Sequence, residues 1–340
     1  MRYLLRSGLV LFLFVCVVLS LNSCAVFPMP GSSSSVATLT NNGADNLAPT
    51  WSPDGRHIIF ESDFSGNWDL WVMNADGSDL RQLTQDPSAE RFAAWSPDGK
   101  AIAFASNRSG TWDLWLMNPD GTQPEQLTRE SRDELAPAWS PDGTKISFVS
   151  QRTDLQGVLM TPHLGDYGIW VMASNGSQMQ ELLPNCGDWG PSWSHDGTKI
   201  VNAASSQGMS GLRIYHLDGG SIQILTPQSE VPLKRRDFLP AWSPDGRAIA
   251  FISTREGRRD IWLIDPFGAW EQRLTWGLFR YAPRYNMEHH LYNGVGYYHL
   301  AWNPDGTQLA FTRINKVGKG DIAVLKLKKP FNIENAGRAA

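Results

Sequence analysis

The chain repeats itself, and the repeat decides what it can fold into. Trp51-Ser52-Pro53-Asp54-Gly55 recurs at residues 95–99, 139–143 and 242–246. Two variants complete the set, Trp193-Ser194-His195-Asp196-Gly197 and Trp302-Asn303-Pro304-Asp305-Gly306. The six tryptophans stand 44, 44, 54, 49 and 60 residues apart. A period near 45 that holds several short strands is the signature of propeller blades. Residues 92–128 show the unit. A short strand at 92–95 runs into a Ser-Pro-Asp-Gly turn, where proline presets φ and glycine supplies the conformation other residues resist. Residues 100–106 alternate as a second strand, 112–118 form a third, Pro119-Asp120-Gly121-Thr122 turns, and 125–128 form an outer fourth. Four such strands cannot bury both faces alone, so blades must stack.

Five outer strands follow the anchors, ending in Leu83-Thr84, Leu127-Thr128, Leu182-Leu183, Leu225-Thr226 and Leu274-Thr275. The sixth is expected at the other end, because Leu39-Thr40 carries the same pattern 44 residues before Leu83. The expectation is an all-β, six-bladed propeller of four-stranded antiparallel blades over 36–327. Its outer strand at 36–40 completes the last blade, which closes the ring and removes the open edge.

The unit A-P-x-W-S-P-D-G-x-x-I-x-F followed by D-[IL]-W-V-M-N-x-D-G and Q-L-T resembles the WD40-like (PD40) repeat of the TolB family, most fully at 48–84 and 92–128. The resemblance implies a propeller whose channel mouth engages a protein partner. It does not by itself imply one activity, since similar repeats occur in tricorn-type and prolyl-oligopeptidase-type peptidases and in oligogalacturonate lyases. The TolB α/β domain that precedes the propeller has no counterpart expected in the 12 or so residues between Cys24 and the first strand.

The first residues read as an export signal. Arg2 and Arg6 precede an apolar run over 9–21 that is too short for a comfortable membrane span. Leu21-Asn22-Ser23-Cys24 resembles a bacterial lipobox, which makes 1–23 a lipoprotein signal and Cys24 the lipid-modified first residue, with 24–35 a flexible tether and 328–340 a C-terminal tail. The expectation is a membrane-anchored lipoprotein facing the periplasm or the cell exterior. Removing 1–23 takes two arginines and no acids from the net charge of −4, leaving −6. Attachment would therefore come from the lipid, and no clustered basic patch suggests nucleic acid. With Cys16 and Cys24 accounted for, Cys186 has no disulfide partner.

Length variation points to one face. The Ser-Pro-Asp-Gly turns are uniform, whereas insertions at 151–167, 227–239 and 276–299 fall at the opposite end of the blades. Long loops on a rigid scaffold usually carry function. Five residues before each anchor stand Asn46, Glu90, Glu134, Asp188, Asp237 and Tyr297, four of them acidic, expected to ring the channel mouth on that face. Such a ring suits a cation or a basic side chain of a partner; the alternative is that the acids cap loop amides and face solvent. The insertion at 276–299 adds Tyr281, Tyr285, His289, His290 and His299, whose aromatic bodies and polar tips suit a binding surface. Arg108, Arg255 and Arg313, each a few residues before Asp113, Asp260 and Asp321, read as repeated loop-bracing ion pairs.

No G-x-S-x-G elbow, P-loop, H-E-x-x-H or C-x-x-C appears. The histidines lack zincin spacing, so no metal or other cofactor is expected. The reading is a monomeric, non-catalytic scaffold for an envelope protein or peptide. The alternative is a carbohydrate-active or metal-dependent enzyme with its site at the channel mouth.

Overall fold

The computed structural model describes residues 35–151, 167–184, 190–206, 209–226, 237–255, 259–276, 299–315 and 317–327. They form six antiparallel four-stranded sheets, the blades of a propeller. Blade one is Asn46–Trp51, His57–Ser62, Asp69–Asn74 and Arg81–Gln82, numbered from the innermost strand outwards. Blade two starts at Glu90–Trp95, blade three at Glu134–Trp139, blade four at Ser192–Trp193 and blade five at Asp237–Trp242. Blade six draws three strands from the end of the chain, Leu300–Trp302, Gln308–Ile314 and Gly320–Lys326, and its outer strand from the beginning, Ser35–Thr38. Ser35 pairs with Lys326 and Thr38 with Ala323, and the Leu39 amide donates to the Ile322 carbonyl at 2.7 Å.

The repeated motif explains each turn. Ser52 Oγ donates to Asp54 Oδ1 at 2.6 Å, and Asp54 accepts the Arg56 amide at 3.0 Å. Ser52 Oγ also accepts the His57 amide at 2.9 Å, so two short side chains satisfy a bend that has no ladder partners. The same Ser–Asp pair builds the turns at Ser96, Ser140, Ser194 and Ser243. The serine hydroxyl and neighbouring amides hold Asp54, Asp98 and Asp142 below the usual carboxylate range.

Between blades the core is built from the second strand. Phe60, Phe104, Phe148, Phe251 and Phe311 occupy one repeat position and are fully buried. Outer strands are fastened by threonine. Thr84, Thr128, Thr226 and Thr275 each accept a third-strand amide at 2.9 Å, and Thr40 accepts that of Ile322 at 2.8 Å.

Candidate functional site

The innermost strands begin with the acidic residues singled out above, and the structure buries them. Asn46, Glu90, Glu134 and Asp237 are at most 1 % exposed, so they neither face solvent nor offer a ring of free carboxylates at the channel mouth. Each is bonded to the residue opposite it on the second strand. Ser62 Oγ donates to Asn46 at 2.9 Å, Ser106 to Glu90 at 2.9 Å, Ser150 to Glu134 at 3.3 Å and Ser253 to Asp237 at 2.6 Å. Asp188, Tyr297, Tyr281, Tyr285, His289 and His290 lie outside the described residues, as do Cys24, Cys186 and the tail at 328–340.

The arginines brace these acids rather than the aspartates that follow them. Arg108 reaches Glu90 at 3.1 Å and Asp86 at 3.7 Å, while Asp113 is bonded to Ser109 instead. Arg255 reaches Asp237 at 3.4 Å, and Asp260 pairs with Arg273. Arg313 donates to Thr38 at 3.2 Å on the strand that closes blade six. Each paired arginine also lies over a third-strand tryptophan, Arg108 over Trp115 and Arg255 over Trp262, both at 4.6 Å.

Burial sets the charge state of the inner acids. Glu90 is pushed up to about 7 and Glu134 to about 8, both chiefly by desolvation; the Asp113 carboxylate adds to the rise at Glu134. Asp69 of the preceding blade is likewise raised by burial.

Just past the acids, four of the inner strands bulge. Pairing jumps from Leu47 to Thr50, Arg91 to Ala94, Leu135 to Ala138 and Phe238 to Ala241. Ala48, Phe92, Ala136 and Leu239 take φ of +48° to +55°, a region that non-glycine residues seldom occupy. The bulges at Ala48, Phe92 and Ala136 open onto a central cavity of about 310 Å³. Its wall is made of small and aromatic residues: alanines such as Ala94 and Ala138, prolines such as Pro53 and Pro97, and the anchor tryptophans Trp51, Trp95, Trp139 and Trp193. None of the four buried inner acids or amides lines it. Three anchors are tied to the preceding blade, Trp139 to the Ala94 carbonyl at 3.2 Å, Trp193 to Ala138 at 3.1 Å and Trp302 to Ala241 at 3.0 Å.

Behind the bulges, the second strand of blade one departs from the repeat. Glu61, fully buried, stands where other blades place Ala105, Val149 and Ile252. Its Oε2 takes the Arg91 guanidinium at 2.7–2.8 Å and its Oε1 accepts the Phe92 bulge amide at 2.7 Å. Thr312 holds the Ala48 amide in the same way at 3.1 Å. His299 lines the cavity and bonds the Pro49 carbonyl; among the described residues its Nδ1 has no partner. Burial lowers its affinity for a proton. Of the predicted insertion residues, His299 is the one the structure places at the axis. No group of three or more metal-binding side chains occurs among the described residues. Sequence reading missed Phe92, Ala94 and the tryptophan wall, because alanine and proline carry no chemical signal of their own. Glu61 did carry one, as a charge inside an otherwise apolar strand.

Comparison with known proteins agrees with this geometry. Residues 26–166 match the family described as TolB beta propeller domain, PD40. The Tol-Pal system protein TolB of Anaeromyxobacter sp. (strain K) is 31 % identical over 128 residues, 38 % of this chain and 24 % of that protein, so the match spans about a quarter of the relative. Among solved structures, a putative TolB from Agrobacterium tumefaciens superposes with a TM-score of 0.60 at 18 % identity, covering 87 % of this chain and 99 % of that one. An oligogalacturonate lyase in complex with manganese superposes with a TM-score of 0.59 at 15 % identity, covering 89 % and 96 %. At such identities the superpositions show the fold alone. Over residues 26–166 the chain thus matches the TolB-type PD40 β-propeller, and its likeness to TolB is confined to the propeller region.

Proposed function

We propose that this protein is an exported, lipid-anchored propeller that binds a protein or peptide in the cell envelope and performs no chemistry on it. The observation that carries the reading is the central cavity. It is lined by alanine, proline and tryptophan, and its neighbouring acids are bonded within the blades. A wall of that kind receives an apolar side chain or chain end and offers orientation rather than proton transfer. The resemblance to TolB supports a protein partner, and the lipobox-like Leu21-Asn22-Ser23-Cys24 supports attachment through Cys24.

The test is crosslinking and pull-down from membranes of the native host, comparing wild type with Thr50→Trp, which fills the cavity from its wall. A partner held by wild type and lost by the variant, at unchanged thermal unfolding, supports the reading; equal capture by both sinks it. For the anchor, Cys24→Ser should abolish incorporation of labelled palmitate and release the protein from the membrane fraction. Retention of label in that variant would exclude Cys24 as the lipidated residue.

A second reading rests on His299, whose Nδ1 has no partner among the described residues beside the cavity. It is a carbohydrate-active or metal-dependent enzyme. Elemental analysis of the purified protein separates the metal-dependent form: stoichiometric transition metal lost on His299→Ala favours it, and its absence removes it.

A further inference from the structure

The repeat allows each blade to be checked against the other five, and blade four departs most. His195 replaces the turn proline seen as Pro53, Pro97, Pro141, Pro244 and Pro304. In the other turns that proline packs on the turn glycine of the next blade, as Pro53 does on Gly99; at this seam His195 packs on Gly246 instead, at 3.4 Å from where a Cβ would stand. His216 ends the third strand where Asn74 and Asn118 end theirs. Across the seam, Phe267 of blade five occupies the turn position of Asp76, Asp120 and Asn175. Those three residues accept bonds from the serine or threonine two places on, whereas Phe267 makes no such bond and is 85 % exposed.

These departures come from three different repeat positions and meet at one place. His195, His216 and Phe267 line a groove of about 280 Å³ between blades four and five, floored by Ile214 and Trp242. It lies at the end of the blades that carries the uniform turns, since the Leu217 amide bonds the Thr198 carbonyl there at 2.9 Å. Beside it runs the outer strand Ile222–Ile224, the edge of its sheet. The outer strands of blades one, two, three and five carry a charge, at Arg81, Glu125, Glu181 and Glu271. Charges of that kind guard an edge against pairing with another chain. Ile222–Ile224 has none, and its isoleucines are 48 % and 70 % exposed. Gln223 points the other way and donates to the Pro266 carbonyl at 2.9 Å, fastening this edge to the turn that bears Phe267.

We propose that this edge and groove form a docking site for an extended, uncharged segment of a protein partner, added as a fifth strand to blade four. Its alternate side chains meet Ile222 and Ile224 on one face and the Phe267 groove on the other, which is how strand addition reads sequence. Charge decides the class of segment. Among the described residues the lysine and aspartates that line the groove are paired, Lys199 with Asp196 at 3.1 Å and Asp245 with Arg247 at 4.0 Å, so a charged side chain entering the groove meets neither a free lysine nor a free carboxylate. The site is at the opposite end from the predicted loop-rich face and does not depend on the reading of the central cavity.

The experiment pans a phage library of random heptapeptides on the purified full chain, with counter-selection on the double variant Ile224→Lys/Phe267→Asp. Phe267→Asp installs the residue that blades one and two use at that turn, so the variant keeps its fold; its thermal unfolding is recorded alongside. The expected result is enrichment of charge-free heptapeptides with alternating apolar residues. Synthetic copies bind wild type at least tenfold more tightly than either single variant, and slow hydrogen exchange at residues 222–224. No selective enrichment, equal binding to the variants, or enrichment of charged peptides overturns the proposal. So does a concentration-dependent dimer in sedimentation that Ile224→Lys abolishes, which would assign the edge to a second copy of this chain.

Discussion

Two inner-strand carboxyls make the folded chain sensitive to pH from within. Glu90 and Glu134 hold their protons to about 7 and 8 against an ordinary 4.5, so between those limits the folded state binds more protons than the unfolded one. Stability therefore falls as pH rises from about 4.5 through 8, by up to about 1.4 kcal/mol per pH unit for each carboxyl. Urea unfolding at pH 5, 6.5 and 8 should show the decline, and Glu134→Gln should flatten it and be the more stable form at pH 8. The Glu61–Arg91 pair makes a different prediction. Arg91→Leu alone leaves a buried carboxylate without its cation and should cost about 3–5 kcal/mol. Adding Glu61→Thr should recover most of that loss, because threonine at this position holds the bulge amide in blade six. A double-mutant cycle by denaturant unfolding measures the coupling, and additive losses would mean the pair is not coupled.

At the level of strands and turns, most of the architecture could be read in advance. The Trp-Ser-Pro-Asp-Gly motif marks the turn, and Leu-Thr marks the outer strand, because each residue there has a local bonding task. What surrounds the axis was harder to read. Spacing placed Glu90, Glu134 and Asp237 at the head of the inner strand correctly, but whether a carboxyl faces water depends on the serine sixteen residues on and the arginine eighteen on. The serine and arginine recur at fixed offsets, but only the sheet, which lays them across from the acid, shows which partner they serve. Arg108 likewise chose the acid behind it over the aspartate ahead, since the ladder brings Ser106 and Glu90 side by side. The seams between blades have their own requirement. A Cβ on Gly121 would stand 2.3 Å from the Leu83 carbonyl of the preceding blade, at a φ of +88°. Gly121→Ala should destabilise by about 2 kcal/mol or more. Gly110→Ala, at a φ of +107° but with open space around it, should cost less by the same thermal and denaturant measurements. Equal losses would mean that backbone conformation, not blade contact, fixes the glycine.

For the whole molecule, closure of blade six by Ser35–Thr38 sets how the ring behaves as a unit. Deleting residues 35–40 removes the outer strand together with Thr40, which bonds both Asp321 and the Ile322 amide. It bares Gly320–Lys326 as a new edge. The expected outcome is a broadened, less cooperative calorimetric transition and concentration-dependent association in light scattering. Deleting 25–34 should leave both unchanged. A sharp transition in the 35–40 deletion would show that the remaining strands close the ring unaided. The same joint has a consequence in time. The Thr40–Asp321 contact spans 281 residues, nearly the length of the propeller. Contacts between distant parts of a chain form slowly, so this joint is expected among the last to close. Until it does, Gly320–Lys326 stands as a bare edge, and assembly of the propeller ends at the propeller's own first strand.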